Sequence, residues 1–109
     1  MVSIKIAKVS EIPPGKMKSI RASKTRVLIV NVDGNFYGLQ SVCTHNANPL
    51  FGGKLKDKYL WCSNHFAKFD VTNGEVLEPP VGSESIHIDP LKTFPVKVNG
   101  DDIVVEVPD

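Results

Sequence analysis

Residues 26–32 read Arg-Val-Leu-Ile-Val-Asn-Val, and Asp33-Gly34 separates them from Asn35-Phe36-Tyr37-Gly38-Leu39. β-Branched residues dominate the first run, and Asp-Gly between two apolar runs is a strong signal for a two-residue hairpin. The same grammar extends in both directions. Upstream, Ser3–Val9 sets Ile4, Ile6 and then Val9 among polar neighbours. Downstream come shorter runs at Lys58–Trp61 and Phe66–Val71, with Asn73-Gly74 as another turn dipeptide. Phe94–Val98 and Ile103–Val107 flank Asn99-Gly100-Asp101 and read as a closing hairpin. Phe94, Val96 and Val98 alternate with polar residues on one strand, and Ile103, Val105 and Val107 do so on the other. Helical periodicity is nearly absent, and Pro13-Pro14-Gly15 breaks any helix between Ser10 and Ala22. Pro79-Pro80 and Gly82 mark a rigid loop. The expectation is an all-β chain, a small antiparallel sandwich or barrel.

The chain has 109 residues, 41% apolar and 23% charged, which fits one compact domain and excludes disorder or a disulfide-dense scaffold. Its longest aliphatic run is Val27–Val30, far short of the roughly 20 residues a membrane helix needs. The opening MVSIKIAKVS lacks the apolar block of a signal peptide, so a cytoplasmic protein without membrane attachment is expected. A net charge of +1 does not imply nucleic-acid binding. The charge is uneven along the chain. Residues 1–68 hold 11 basic and 3 acidic side chains, and residues 69–109 hold 2 basic and 9 acidic.

Both cysteines and two of the three histidines fall in two short segments, Cys43-Thr44-His45 and Cys62-Ser63-Asn64-His65, with sixteen residues between them. Two loops that each present one thiolate and one imidazole make a four-ligand site. Two metals satisfy that donor set. Tetrahedral zinc takes two Cys and two His. A [2Fe-2S] cluster with two Cys on one iron and two His on the other takes the same four. Zinc fingers usually group Cys with a nearby Cys and His with a nearby His, whereas each loop here gives a Cys and then a His.

The residues around these ligands resemble the Rieske ferredoxins. The resemblance rests on the CTH and CSNH segments with Asn48-Pro49-Leu50 and Gly53 between them. It continues through Phe69-Asp70, Thr72, Gly74 and Pro79-Pro80, then Leu91–Val96 and the Gly100–Ile103 turn, and upstream through Asn31–Gly34 and Phe36-Tyr37. It implies a Rieske fold: an antiparallel sandwich-like or barrel-like base with a small inserted cluster-binding subdomain. The subdomain maps to about residues 42–80 and the base to about 1–41 and 81–109. It further implies one [2Fe-2S] cluster, with Cys43 and Cys62 on the inner iron and His45 and His65 on the outer one. The implied role is that of a one-electron carrier rather than an enzyme, with a reductase as donor and a terminal oxygenase as acceptor. The small Rieske-like subunit of a nitrite reductase is an alternative within electron transfer. A zinc-stabilised binding module on the same four ligands is the alternative from another class.

The departures from the family pattern are informative. Asn48 and Asn64 stand where some family members carry a second cysteine pair, so no such disulfide forms. Ala67 and Phe69 stand where high-potential members carry Ser and Tyr hydroxyls. Hydrogen-bond donors to the cluster sulfurs raise the potential, so their loss implies the low end of the roughly −150 to +300 mV Rieske range.

Other polar residues have plainer readings. His87, in Ile86-His87-Ile88, reads as solvent-facing, and Trp61 as core packing. Lys54, Lys56, Lys58 and Lys68 either steer an acidic partner or form a solvated face. Residues 81–90 read as a tolerated surface insertion, with a partner contact as the alternative. No nucleophile–base set and no phosphate loop is present, and Asp70 has no evident acid–base partner. The catalytic oxygenase subunits of the resembled superfamily carry an additional mononuclear-iron domain, and 109 residues are expected to leave no room for one.

Overall fold

Strand β3 (Thr25–Val32) is buried on both faces, and the molecule is layered around it. Alternate side chains of a strand point to opposite faces. Val27 and Ile29 accordingly enter one core, with Ala22, Ile103, Val105 and Val107. Leu28 and Val30 enter another, with Leu39, Leu60, Phe69 and Val71. A run of four aliphatic residues is what a strand between two cores requires.

The computed structural model describes residues 2–41, 53–62, 67–78 and 89–108. The other strands are β1 (Val2–Lys8), β2 (Met17–Ala22), β4 (Asn35–Gln40), β5 (Lys54–Lys56), β6 (Tyr59–Trp61), β7 (Lys68–Asp70), β8 (Val76–Glu78), β9 (Thr93–Phe94), β10 (Val96–Asn99) and β11 (Asp102–Val107). They form three antiparallel sheets, ordered β1-β11-β10, β2-β3-β4-β9 and β5-β6-β7-β8. The only helical element among the described residues is a 3-10 turn at Val9–Glu11. No described helix is long and apolar enough to cross a membrane. The all-β expectation holds.

The Asp33-Gly34 hairpin forms as read. Both residues have positive φ, 51° and 91°, as the type I′ turn demands. The buried Asn31 side chain braces it, accepting from the Gly34 N–H at 2.7 Å and donating to the Ile12 carbonyl at 2.8 Å. The closing hairpin also forms, with Asn99 paired to Asp102.

Three details differ from the sequence reading. Strands β2, β5 and β8 were not anticipated. The Phe94–Val98 run is broken at Pro95 into β9 and β10, because proline cannot donate to a ladder. Val98 is 47% exposed, so the alternation on β10 does not carry that side chain into the core. Pro79-Pro80, Gly82, His87 and residues 81–88 of the insertion lie outside the described residues.

Candidate metal centre

The β6–β7 hairpin carries the second ligand segment. Its register pairs Tyr59 with Asp70, Leu60 with Phe69 and Trp61 with Lys68. One step further, the Cys62 N–H donates to the Ala67 carbonyl at 2.9 Å. Cys62 and Ala67 therefore form the last described pair of the hairpin. Alternation then sends Leu60 and Cys62 inward and Trp61 outward. Cys62 is fully buried, in one apolar cluster with Ala67, Phe69, Leu28 and Val30.

The first ligand segment also leaves from a fixed stem. Two bonds tie the end of β4 to the returning chain: Gln40 N–H donates to the Lys92 carbonyl at 2.9 Å, and Lys92 N–H donates to Gln40 Oε1 at 2.7 Å. Ser41 is buried, with its hydroxyl 2.6 Å from that of Ser19. Ser19 Oγ in turn accepts from the Arg26 guanidinium at 3.2 Å. Of the four expected ligands, Cys62 is the one within the described residues; Cys43, His45 and His65 lie outside them, as do Asn48 and Asn64. Among the described residues no three His, Cys, Asp or Glu side chains converge on a metal-sized site.

Cys62 fits a thiolate-bound iron–sulfur group. It is a soft sulfur donor at the end of a dry apolar wall, and soft donors with little competing water favour such clusters. The two positions read as lacking hydroxyls, Ala67 and Phe69, are both fully buried beside it. The wall around the sulfur therefore offers no side-chain hydroxyl at either place.

The far end of the hairpin is held by Asp70, which sequence reasoning left without a partner. Its carboxylate accepts from the Thr72 N–H at 2.9 Å and the Thr72 hydroxyl at 2.6 Å. Lys58 lies 3.4 Å from its other oxygen. Burial alone pushes the Asp70 pKa up, but the Thr72 hydroxyl and N–H, with the Lys58 charge, outweigh it and hold the group below its ordinary value. The Asp-x-Thr spacing is a local turn signal that a reading confined to acid–base pairs passes over.

Trp61 corrects an expectation. It is half-buried on the outer face of the β5–β8 sheet, not in the core. Its ring lies 6.3 Å from that of Tyr59, tilted at 60°, and Lys68 Nζ sits 5.3 Å from its centre.

An all-β chain with a dry, buried cysteine at the end of a short hairpin suits a small iron–sulfur protein. Comparison with known proteins agrees. Residues 2–95 match the Rieske [2Fe-2S] domain, and the chain belongs to that family. The family implies a Rieske-type [2Fe-2S] cluster. The chain is 36% identical to the biphenyl dioxygenase ferredoxin subunit of Pseudomonas sp. (strain KKS102), over 97% of this chain and 93% of that one. It is 34% identical to the ferredoxin component of biphenyl 2,3-dioxygenase from Rhodococcus jostii (strain RHA1), over 98% and 94% of the two chains. The fold superposes on the ferredoxin of Sphingomonas yanoikuyae B1 with a TM-score of 0.86 at 22% identity, covering 98% of this chain and 100% of that one.

Proposed function

We propose that this protein is a one-electron carrier that shuttles electrons from a reductase to a terminal oxygenase and catalyses no reaction of its own. The observation that carries the reading is the full-length similarity to ferredoxin subunits of dioxygenase systems, at 36% identity over 97% of the chain. A structure of the carbazole 1,9a-dioxygenase oxygenase with its ferredoxin contains a chain of the same fold, with a TM-score of 0.84 at 25% identity over 95% of this chain and 92% of that one. That pairing supports an oxygenase as the acceptor. A cytoplasmic location suits it, since thiols stay reduced there.

In this reading Cys43 and Cys62 hold the inner iron, and His45 and His65 hold the outer one. Residues 42–80 form the cluster-binding subdomain on a base made by 1–41 and 81–109. The β5–β8 sheet, which lies within the first range, supports that division. When bound, a Rieske cluster supplies one reversible one-electron step. The chain's own contribution is rigidity and dryness. Leu60, Phe69 and Val71 seat the hairpin on the core, and the Cys62–Ala67 bond fixes the stem of its loop. Fixed ligands reorganise little when charge changes.

The test is low-temperature EPR of the dithionite-reduced protein, with iron and sulfide analysis. A rhombic signal of the His-ligated [2Fe-2S] type, with about two irons and two sulfides per chain, is expected. Zinc without iron would move the protein to the binding-module class.

A further inference from the structure

The outer face of the β5–β8 sheet has a pattern that the carrier reading does not use. Lys54, Trp61, Lys68 and Glu78 lie opposite one another in one row across the four strands. Lys56, Tyr59 and Asp70 make the neighbouring row. Lys68 Nζ lies 4.4 Å from the centre of the Tyr59 ring and 5.3 Å from that of Trp61, and 3.3 Å from a Glu78 carboxylate oxygen. Its charge is therefore used within the sheet. Lys58 is likewise engaged by Asp70. Lys54 and Lys56 are exposed, and among the described residues neither is paired with a carboxylate.

What remains is a half-exposed Tyr–Trp pair edged by two free positive charges. Aromatic side chains left partly wet in a group mark interaction surfaces, and Trp and Tyr are enriched at their centres. The face is a sheet surface rather than a cavity, which suits a protein more than a small molecule. Trp61 directly precedes Cys62, so a partner seated there stands one residue from that proposed ligand, and electron transfer falls steeply with distance.

We infer that this face docks a protein electron-transfer partner whose own surface is acidic around an apolar centre. The inference rests on the carrier reading. Lys54 and Lys56 supply the steering, and a basic partner would meet like charge. The Tyr59–Trp61 pair supplies the contact that survives salt. A second basic surface exists at the β2–β3 turn, where Arg21 and Lys24 are exposed, but no aromatic side chain stands among the residues of that turn.

The experiment is anaerobic stopped-flow electron transfer from the reduced, cluster-loaded protein to two probe acceptors, the acidic cytochrome b5 and the basic cytochrome c. At low ionic strength, Lys54→Glu/Lys56→Glu should slow transfer to cytochrome b5 about tenfold or more and speed transfer to cytochrome c. Most of that difference should vanish near 0.5 M salt, where charges are screened within a few ångströms. Trp61→Ala should slow cytochrome b5 several-fold even at high salt, and Trp61→Phe should recover part of the loss. The docking inference falls if the lysine reversal leaves both rates within twofold. It also falls if Arg21→Glu/Lys24→Glu slows cytochrome b5 more than the Lys54/Lys56 pair does. A wild-type protein that takes up no electron from dithionite would instead bring down the carrier reading itself, and the inference with it.

Discussion

The two larger sheets, built from strands before residue 42 and after residue 90, and the small β5–β8 sheet, whose β6 leads directly into Cys62, use the same antiparallel pairing, yet they are secured differently. Strands β1, β3 and β11 run six to eight residues, and their core, which includes Val27, Ile29, Ile103, Val105 and Val107, takes no residue from the small sheet. Strands β5 to β8 have three residues each. A sheet so short makes few ladder bonds and is marginal alone. Its inward residues Leu60, Phe69 and Val71 share their core with Leu28, Val30 and Leu39 of the larger sheet. The hairpin that ends in Cys62 is stable because of what it sits on, and the best way to loosen the proposed metal centre is to spoil that contact.

Phe69→Ala is the sharpest test. The side chain is fully buried at the contact, and its loss should cost about 3–5 kcal/mol. If the small sheet is the dependent one, iron should be released below the temperature at which far-UV CD shows global unfolding, as local opening predicts. Ile103→Ala, with a cost of about 2–5 kcal/mol, should instead lower both temperatures together. Coincident transitions in both variants would dissolve the distinction between the regions.

Two glycines sharpen it next. Gly74 and Gly34 both have positive φ, 80° and 91°. A Cβ at Gly34 meets nothing within 4 Å, whereas one at Gly74 would collide with the Leu91 carbonyl oxygen. Gly74 also accepts the Leu91 N–H at 2.8 Å, so this turn of the small sheet is pinned to the returning chain. Gly34→Ala should cost about 1 kcal/mol for its dihedral angle alone, and Gly74→Ala about 3 kcal/mol because backbone must also move. Equal losses on chemical denaturation would show that the joint at Leu91 is slack.

Much of this architecture was legible, and the misses have a common cause. Asp33-Gly34 announced the β3–β4 hairpin, and the Ile/Val alternation announced β1 and β11. Strands β2 and β5 end in Ser23-Lys24 and Asp57-Lys58, turns without glycine in which Ser23 and Asp57 themselves take positive φ, 59° and 54°. Such turns leave no dipeptide signature. The Lys-Leu-Lys of β5 is too short for its period to show. Trp61 was misjudged because the parity of a three-residue strand is set by its partners, and the Leu60–Phe69 pair claims the inner face. Spacing and resemblance name four expected ligands, of which Cys62 lies within the described residues. The tie in which Ser19 joins Arg26 to Ser41 gives no such signal, since it brings together residues that meet only in the folded sheet.

Charge gives a smaller contrast. Asp70 is buried and its pKa is held down, while Asp102, which faces Lys5 and Lys8 at 3.2 and 3.7 Å, has a side chain 35% exposed. A carboxylate with a lowered folded-state pKa stabilises the fold above its unfolded value, near 3.8, and that contribution is lost as pH falls through the lower folded value. Asp70→Asn keeps an oxygen for Thr72 but removes the charge. It should cost about 1 kcal/mol at neutral pH and flatten the acid limb of the stability profile below about pH 4. Asp102→Asn should change stability by less than about 0.5 kcal/mol. A steeper acid limb in Asp70→Asn would reverse the sign argued here.

The smallest effect concerns the sulfur environment. The Ala67 carbonyl accepts the Cys62 N–H, and the two side chains share one dry core, so a hydroxyl placed at residue 67 enters the surroundings of the Cys62 sulfur, the proposed ligand. A hydrogen bond there stabilises the more negative, reduced state and raises the potential. One such bond is worth about 0.5–1.5 kcal/mol, or about 20–65 mV for one electron. Ala67→Ser should therefore raise the midpoint by that amount from a wild-type value in the lower half of the roughly −150 to +300 mV range. Phe69→Tyr tests the second missing hydroxyl in the same way. The same Ala67→Ser change should destabilise the metal-free protein, where the buried hydroxyl has no charged acceptor. Opposite signs in the two states would identify the acceptor as the metal centre. A midpoint that stays put or falls, or a wild-type value above about +150 mV, would show that the two missing hydroxyls do not set the potential.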